Sequence, residues 1–414
     1  MAGGLRGRLA ALKGGAGQGL AGQGLNFAAM LIPLAAGDVR QVTFAVVVSA
    51  AASIAARIAG LAFPAVYPVL PEEDAADSVA ATVRVTLAAA AVAIVAGLAI
   101  LPVSAHVASI VLWSTAMAVT MVLYQIVNAV FVRRSRYREY ATVRLIYGAV
   151  NVVAVVAVTV ITDWTAALAA TGVLAYAVGW LVGERYLGIS LLRHTRHGDA
   201  RASLRYIRTH REAILGQSID IVGSQSPALS VASVGLATGN GIVWSGLQRI
   251  AGGVTTTFMM LVAPAMDMRV AETVRGGDRG AVRGRVLQVT AVAAILAAAA
   301  AVATVLAAIV ILRWNRDFTV GWWLMVLVVA FCAAQFLLSI VNKYLIMIGS
   351  ERLAAVWSTF RTISAVTLLA LFEGDALIAA ICIQSSVFVI LYLLLLLAAL
   401  RTDAPVAHPD ERTR

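Results

Sequence analysis

Four charged residues stand inside long apolar runs of this sequence: Arg57, Arg249, Arg361 and Asp220. A central arginine in a membrane costs from roughly 2.5 to over 10 kcal/mol unless it faces water or a partner. Its planar guanidinium grips phosphate or carboxylate oxygens through two parallel hydrogen bonds. Arg57 and Arg249 are therefore expected to line a cavity and hold an anion. Arg361 is expected either to join them or to pair with another helix. Asp220 is open to two readings, a proton or sodium site or a fixed counter-charge to Arg57 or Arg249. It sits in EAILGQSIDIVGSQSPALSVASVG, with Gln217, Gln225 and Pro227. Proline frees a backbone carbonyl, and such polar irregularity at membrane depth is tolerated only inside protein or beside water. Gln248 adjoins Arg249. Near the start, GGAGQGLAGQGLN sets Gln18, Gln23 and Asn26 among glycines. The glycines allow close helix packing. The amides offer donors and acceptors to a hydroxyl-rich ligand.

The elements that position these residues follow from composition. The chain has 414 residues, 61% hydrophobic and 13% charged, and its mean hydropathy is +0.89. At roughly 20 apolar residues per span, that content supplies about twelve transmembrane helices and leaves only short connections. A soluble enzyme, a disulfide scaffold and a large extramembrane catalytic domain are excluded. A transmembrane β-barrel needs short alternating segments rather than continuous apolar runs. The fold class expected is an all-α polytopic membrane protein.

Apolar runs place spans near 15–36, 41–63, 82–104, 107–132, 140–161 and 165–187, then 211–235, 241–265, 286–312, 320–342, 352–372 and 376–400. Twenty-nine of the 32 basic residues fall in loops or at helix ends on this reading. They concentrate in alternate connections, with Arg133, Arg134, Arg136, Arg138 and Arg144 in one, Arg193 to Arg211 in the next and Arg269 to Arg285 in a third. The positive-inside rule makes those loops and both termini cytoplasmic, and the membrane expected is a bacterial-type plasma membrane. The acidic run 71–78, PEEDAADS, is expected as a loop on that side. Residues 188–211 read as a basic amphipathic segment lying along anionic lipid. A boundary there divides the chain into lobes of six spans, 1–190 and 191–414, the latter ending in a disordered tail.

An internal repeat supports the division. Arg57–Gly60 and Arg249–Gly252 both read RIAG, 192 residues apart, and each precedes a Pro-Ala pair at 64–65 and 264–265. Gln125 and Gln335 recur at an offset of 210. Six spans separate each match, so the lobes are expected to be parallel repeats about an axis along the membrane normal. The Gly179-xxx-Gly183 pair reads as packing.

Cys332 and Cys382 lie in apolar runs and imply neither disulfide nor zinc. No Walker A or GxGxxG motif is present, and the five histidines form no catalytic or metal set. The net charge of +11 is accounted for by cytoplasmic loops, so no nucleic-acid partner is expected. EEDAAD would suit a divalent metal in a membrane glycosyltransferase only if it faced the other side.

Three stretches resemble polysaccharide flippases: GQGLNFAAMLIPLAAGDVRQVTFAVVVSAAASIAARIAG, RSRYREYATVRLIYGAVNVV and GIVWSGLQRIAGGVTTTFMMLVAPAM. These O-antigen-type transporters are a branch of the multidrug/oligosaccharidyl-lipid/polysaccharide exporter (MOP) superfamily. The resemblance implies a MATE/MOP-like bundle of two six-helix lobes around a central cavity open alternately to each side. It also implies a polyprenyl-(di)phosphate-linked oligosaccharide as substrate. Cavity arginines on the second and eighth spans, which the lipid II branch carries, match Arg57 and Arg249. That branch also has arginine on the first span, where this chain has Gln18, Gln23 and Asn26, so another lipid-linked glycan is favoured over lipid II. Membrane lipids and glycan-assembly proteins are the expected partners. No cofactor is expected beyond H+ or Na+ as coupling ion. Two other classes compete, a cation-coupled drug or metabolite antiporter of the same architecture and a membrane-embedded glycosyltransferase or polymerase.

Overall fold

The computed structural model describes residues 17–19, 21–22, 24–26, 28–29, 32–33, 39–192, 200–234, 244, 251–252, 254–255, 258–314 and 322–402. Every regular element among the described residues is helical. The chain forms two compact units, Met1–Ile214 and Leu215–Arg414. Eight described helices are long and apolar enough to cross a membrane, or nine if a pair bent by 56° counts as one span. Much of the expected first and eighth spans lies outside the described residues. Large apolar side chains face outward, Val92 and Val160 being 72% and 80% exposed. An apolar exterior of this kind suits lipid rather than water.

The first unit holds α1 (Val39–Ala59), α2 (Glu72–Ile100), α3 (Ala105–Arg133), α4 (Tyr137–Ile161), α5 (Ala167–Leu187) and α6 (Ala200–Thr209). The helical residues of the first span precede them. α1 stops four residues short of the expected end, and the cause is Pro64. Proline has no N–H to give the Gly60 carbonyl four residues back. Phe63 N–H takes that carbonyl instead at 2.8 Å, and Leu61 and Ala62 turn to positive φ of 49° and 55°. Short helical turns at Phe63–Val66 and Tyr67–Val69 carry the chain to Pro71.

The acidic run corrects the sequence reading. It is not a loop, because Glu72, Glu73 and Asp74 form the first turn of α2. Carboxylates there complement the positive end of the helix dipole. Arg133 ties the turn down, donating from Nη2 to Glu72 at 2.5 Å and from Nη1 to the Tyr67 and Leu70 carbonyls at 3.1 and 2.6 Å.

α6 lies along α2, and this contact carries the first unit beyond residue 190 to Ile214. Ser203 and Tyr206 are buried, whereas Arg201, Leu204, Arg205 and Arg208 are exposed. Arg84 donates to Ser203 Oγ at 3.1 Å, and Tyr206 Oη donates to the Leu61 carbonyl at 3.1 Å. The tyrosine thereby serves backbone at the break after α1. Removing the hydroxyl leaves a buried acceptor unserved, at about 1–3 kcal/mol. Tyr206→Phe is expected to lower the melting temperature of purified protein by a few degrees, and an unchanged value would show that the break does not depend on α6.

The second unit holds α7 (Arg211–Val234), α8 (Ala263–Arg275), α9 (Arg279–Trp314), α10 (Trp322–Val341), α11 (Glu351–Leu371) and α12 (Gly374–Ala399). A π-helical turn, Phe258–Val262, precedes Pro264 in the first turn of α8. Both Pro-Ala pairs thus follow irregular backbone. One pair of corresponding helix ends also repeats. Arg133 ends α3 and Lys343, 210 residues later, stands just past the end of α10, where it pairs with buried Asp267 at 2.6 Å. Burial raises the Asp267 carboxyl above the usual range, with the ammonium working against that shift.

Candidate functional site

Each unit buries an arginine in the fifth of its spans, and each does so where a glycine-bearing helix crosses closely. In the second unit α7 crosses α11. A Cβ at Gly216 would stand 2.8 Å from the Ala355 Cα, and one at Gly223 would stand 2.7 Å from Thr362 Oγ1. Only glycine allows this approach. It brings Asp220 Oδ1 to 2.8 Å from Arg361 Nη1, with both side chains buried. The Arg361 guanidinium also lies over the Trp357 ring, 5.3 Å from its centre. Thr362 Oγ1 donates to the Ile219 carbonyl at 3.0 Å, and Gln384 Nε2 donates to the Arg361 carbonyl at 3.2 Å. Guanidinium, carboxylate and indole form one desolvated cluster, whose charges cancel.

In the first unit the initial span crosses α4. A Cβ at Gly148 would stand 2.2 Å from the Gly22 carbonyl oxygen, and one at Gly22 would stand 2.8 Å from the Arg144 carbonyl oxygen. Thr142 Oγ1 donates to Gln18 Oε1 at 3.2 Å, and Asn151 Nδ2 donates to Asn26 Oδ1 at 2.6 Å. Positions 18, 22 and 26 recur every four residues, which is one face of a helix. Two of the three amides of this span are therefore bonded to α4.

Beneath that crossing Arg144 is buried among phenols. Its Nη1 donates to Tyr124 Oη at 3.2 Å. Its guanidinium lies 5.3 Å from the Tyr147 ring centre and 5.8 Å from that of Tyr124. Tyr124 stacks on Tyr147, and Tyr176 closes on both rings at 5.8 and 5.1 Å. A cation over aromatic faces is held by their quadrupoles. Phenol hydroxyls and guanidinium N–H groups together make a buried polar cluster within the first unit. Gly179 meets the Tyr124 ring and Gly183 meets Val127, so these two glycines serve packing.

The other expected site residues are placed as follows. Arg57 is half-buried in the last turn of α1. Gln217 is buried in α7. Gln23, Gln248, Arg249 and the Gln225 side chain lie outside the described residues. Asp220 has Arg361 as its partner.

Arg144 and its tyrosines were not singled out by the sequence reading, which counted Arg144 with the loop arginines. It stands about 10 Å along α4 from Tyr137, at 1.5 Å per residue. One signal was available. Thr142-Val143-Arg144 and Thr359-Phe360-Arg361 match at an offset of 217.

No protein-family profile and no curated protein matches the chain. Solved structures do match along nearly its whole length. An outward-facing multidrug resistance MATE family transporter of the MOP superfamily aligns with 14% identity and a TM-score of 0.72, covering 94% of this chain and 95% of that one. MATE transporter ClbM in complex with Rb+ aligns with 13% identity and a TM-score of 0.67, covering 98% and 97%. A MOP superfamily transporter from Pyrococcus furiosus aligns with 12% identity and a TM-score of 0.65, covering 95% and 97%. It is described as having a binding pocket of reverse polarity that suggests a different function. At these identities the likeness establishes the fold, an all-α polytopic bundle of twelve helices in two lobes.

Proposed function

We propose that the chain is a flippase carrying a polyprenyl-(di)phosphate-linked oligosaccharide from the cytoplasmic to the outer leaflet of a plasma membrane by alternating access. The observation that carries this reading is the sign of the buried charge. Among the described residues, both buried carboxylates, Asp220 and Asp267, are ion-paired with Arg361 and Lys343. The first unit adds Arg144, buried among tyrosines. An antiporter of organic cations needs the opposite, a buried acid offered to the substrate. The reverse polarity attributed to the Pyrococcus furiosus transporter is a precedent for a shared fold serving a different substrate class.

The chemistry of such a substrate fits. Its head is anionic and rich in hydroxyls, and taking charged oxygens out of water without replacement is costly. Guanidinium groups replace the lost hydration, each close pair contributing roughly 4 kcal/mol at 4 Å when the effective dielectric is about 20. Arg57 and Arg249 are assigned to the phosphate. Replacing either by alanine should weaken binding of the lipid-linked glycan by about 10- to 150-fold, corresponding to roughly 1.5–3 kcal/mol. Lysine should rescue only in part, since it keeps the charge and loses the fork. Titration of the purified variants measures this, and parental affinity in both alanine variants would remove them from the site.

The test of the function itself is lipid analysis of a deletion strain. A flippase requires one lipid-linked glycan to accumulate on the inner leaflet. Normal glycan lipids together with hypersensitivity to organic cations would instead mark a drug antiporter, and absence of the glycan lipid from both leaflets would mark a biosynthetic enzyme.

A further inference from the structure

The short helix α6 has two opposite faces. At about 100° per residue, Arg201, Leu204, Arg205 and Arg208 fall within one arc of roughly 100°, and Ser203 and Tyr206 fall across the helix from it. The second pair is buried, whereas the first four are exposed, Leu204 at 56%. Among the described residues no carboxylate forms an ion pair with Arg205 or Arg208. The depth of α6 follows from its neighbour. Arg84, which donates to Ser203 Oγ, is the last charged residue of α2, and uncharged sequence runs from there to Ile100. α6 therefore lies where α2 passes from charged to apolar sequence, which is the level of lipid headgroups. Glu72, at the start of α2, is tied to Arg133 at the end of α3, so the exposed Arg134 and Arg138 that follow share this end of the unit.

Arginines with an exposed leucine between them, at that depth, complement an anionic lipid surface. The apolar stems lie along the upper acyl chains while the guanidinium groups reach phosphate oxygens. We infer that the outward face of α6 binds anionic lipid headgroups through Arg205 and Arg208, and that bound lipid steadies the break after α1. The second half rests on the inward face. Tyr206 Oη donates to the Leu61 carbonyl at 3.1 Å. Leu61 and Ala62 stand at φ of 49° and 55°, a conformation that residues with a side chain adopt at a cost. A helix pinned to headgroups on one side thus braces a strained turn on the other, and the last turn of α1 before that break carries Arg57. The sequence alone puts residues 188–211 on anionic lipid as a whole; the fold narrows the contact to one face and gives it something to act on. Neither half depends on which substrate the chain carries.

The test is melting of the purified protein in neutral detergent while phosphatidylglycerol, phosphatidylcholine or inorganic phosphate is titrated in. The expected result is a melting temperature raised by several degrees with phosphatidylglycerol and unchanged with the other two. Arg205→Gln combined with Arg208→Gln should melt like the parent without added lipid, since both positions are exposed. It should need more phosphatidylglycerol for the same rise, about fivefold for each arginine removed. Tyr206→Phe should keep the parental titration midpoint and lose most of the rise, because lipid then binds without bracing the break. Added salt should shrink the parental rise. A parental titration in the double variant overturns the surface, as does a rise indifferent to salt; should the double variant not fold, the salt dependence decides. An equal rise with inorganic phosphate replaces the lipid by a soluble anion and overturns the proposal. A full rise in Tyr206→Phe overturns the link to the break and leaves the surface standing. No rise with phosphatidylglycerol in the parent overturns both.

Discussion

Asp220→Asn is expected to cut the yield of folded protein sharply, and Arg361→Ala to do so at least as severely. The two side chains are 2.8 Å apart and almost wholly buried, at 7% and 5% exposure. Removing one member leaves the other as an uncompensated charge in a low-dielectric interior, at about 3–5 kcal/mol. The Asn variant still offers Arg361 an amide oxygen but no charge. Replacing the pair together, Asp220→Leu with Arg361→Met, should recover much of the loss, since apolar substitutes for a buried ion pair are often neutral or stabilising. Size-exclusion profiles and melting temperatures of the four proteins measure this. If Asp220→Asn folds and melts like the parent while transport loses its dependence on a proton or sodium gradient, the carboxylate is a coupling-ion site and not a structural counter-charge.

Gly148→Leu should unseat the first span. The carbonyl oxygen of Gly22 would lie 2.2 Å from even the first carbon of a side chain at 148. Backbone cannot rotate away as a side-chain tip can, so the helices must separate. Separation also opens the Gln18–Thr142 and Asn26–Asn151 hydrogen bonds that flank the crossing. Overpacking typically costs about 1–3 kcal/mol, and a clash with backbone belongs at or above the upper end. Little or no folded protein is the expected outcome. Gly183→Ala is the comparison, because there the obstructing atom is a methyl of Val127 and can yield. Equal tolerance of the two substitutions would show that the first span does not depend on this contact.

Element positions were legible because a bilayer demands long apolar runs and little else. α3, α5, α7, α10, α11 and α12 begin and end within two residues of the expected spans. Errors arose where local chemistry outweighs hydropathy. Glu72, Glu73 and Asp74 lower the hydropathy of a helical turn without ending the helix, since carboxylates favour that terminus. Pro64 ended α1 early inside an apolar stretch. The site was less legible than the fold. Asp220 and Arg361 stood out as charges in apolar sequence, but 141 residues separate them, and their pairing depends on glycine contacts between α7 and α11. Arg144 was missed for a different reason. Two turns from a helix end, an arginine reads like those in the adjoining loop, and only the phenols that α3 and α5 bring to it mark it as interior. Tyr124, Tyr147 and Tyr176 come from three helices, so no spacing within one of them announces the cluster.

Translocation itself is the most direct measurement. Purified protein would be reconstituted into vesicles carrying a short polyprenyl-diphosphate-linked oligosaccharide with a fluorescent sugar, and the fraction accessible to an added quencher followed in time. Vesicles with the parent protein should expose inner-leaflet label far faster than empty vesicles, and Arg57→Ala and Arg249→Ala should slow that exposure. Exposure no faster than in empty vesicles, in a preparation that exchanges an organic cation for protons, would contradict the assignment as a lipid-linked glycan flippase.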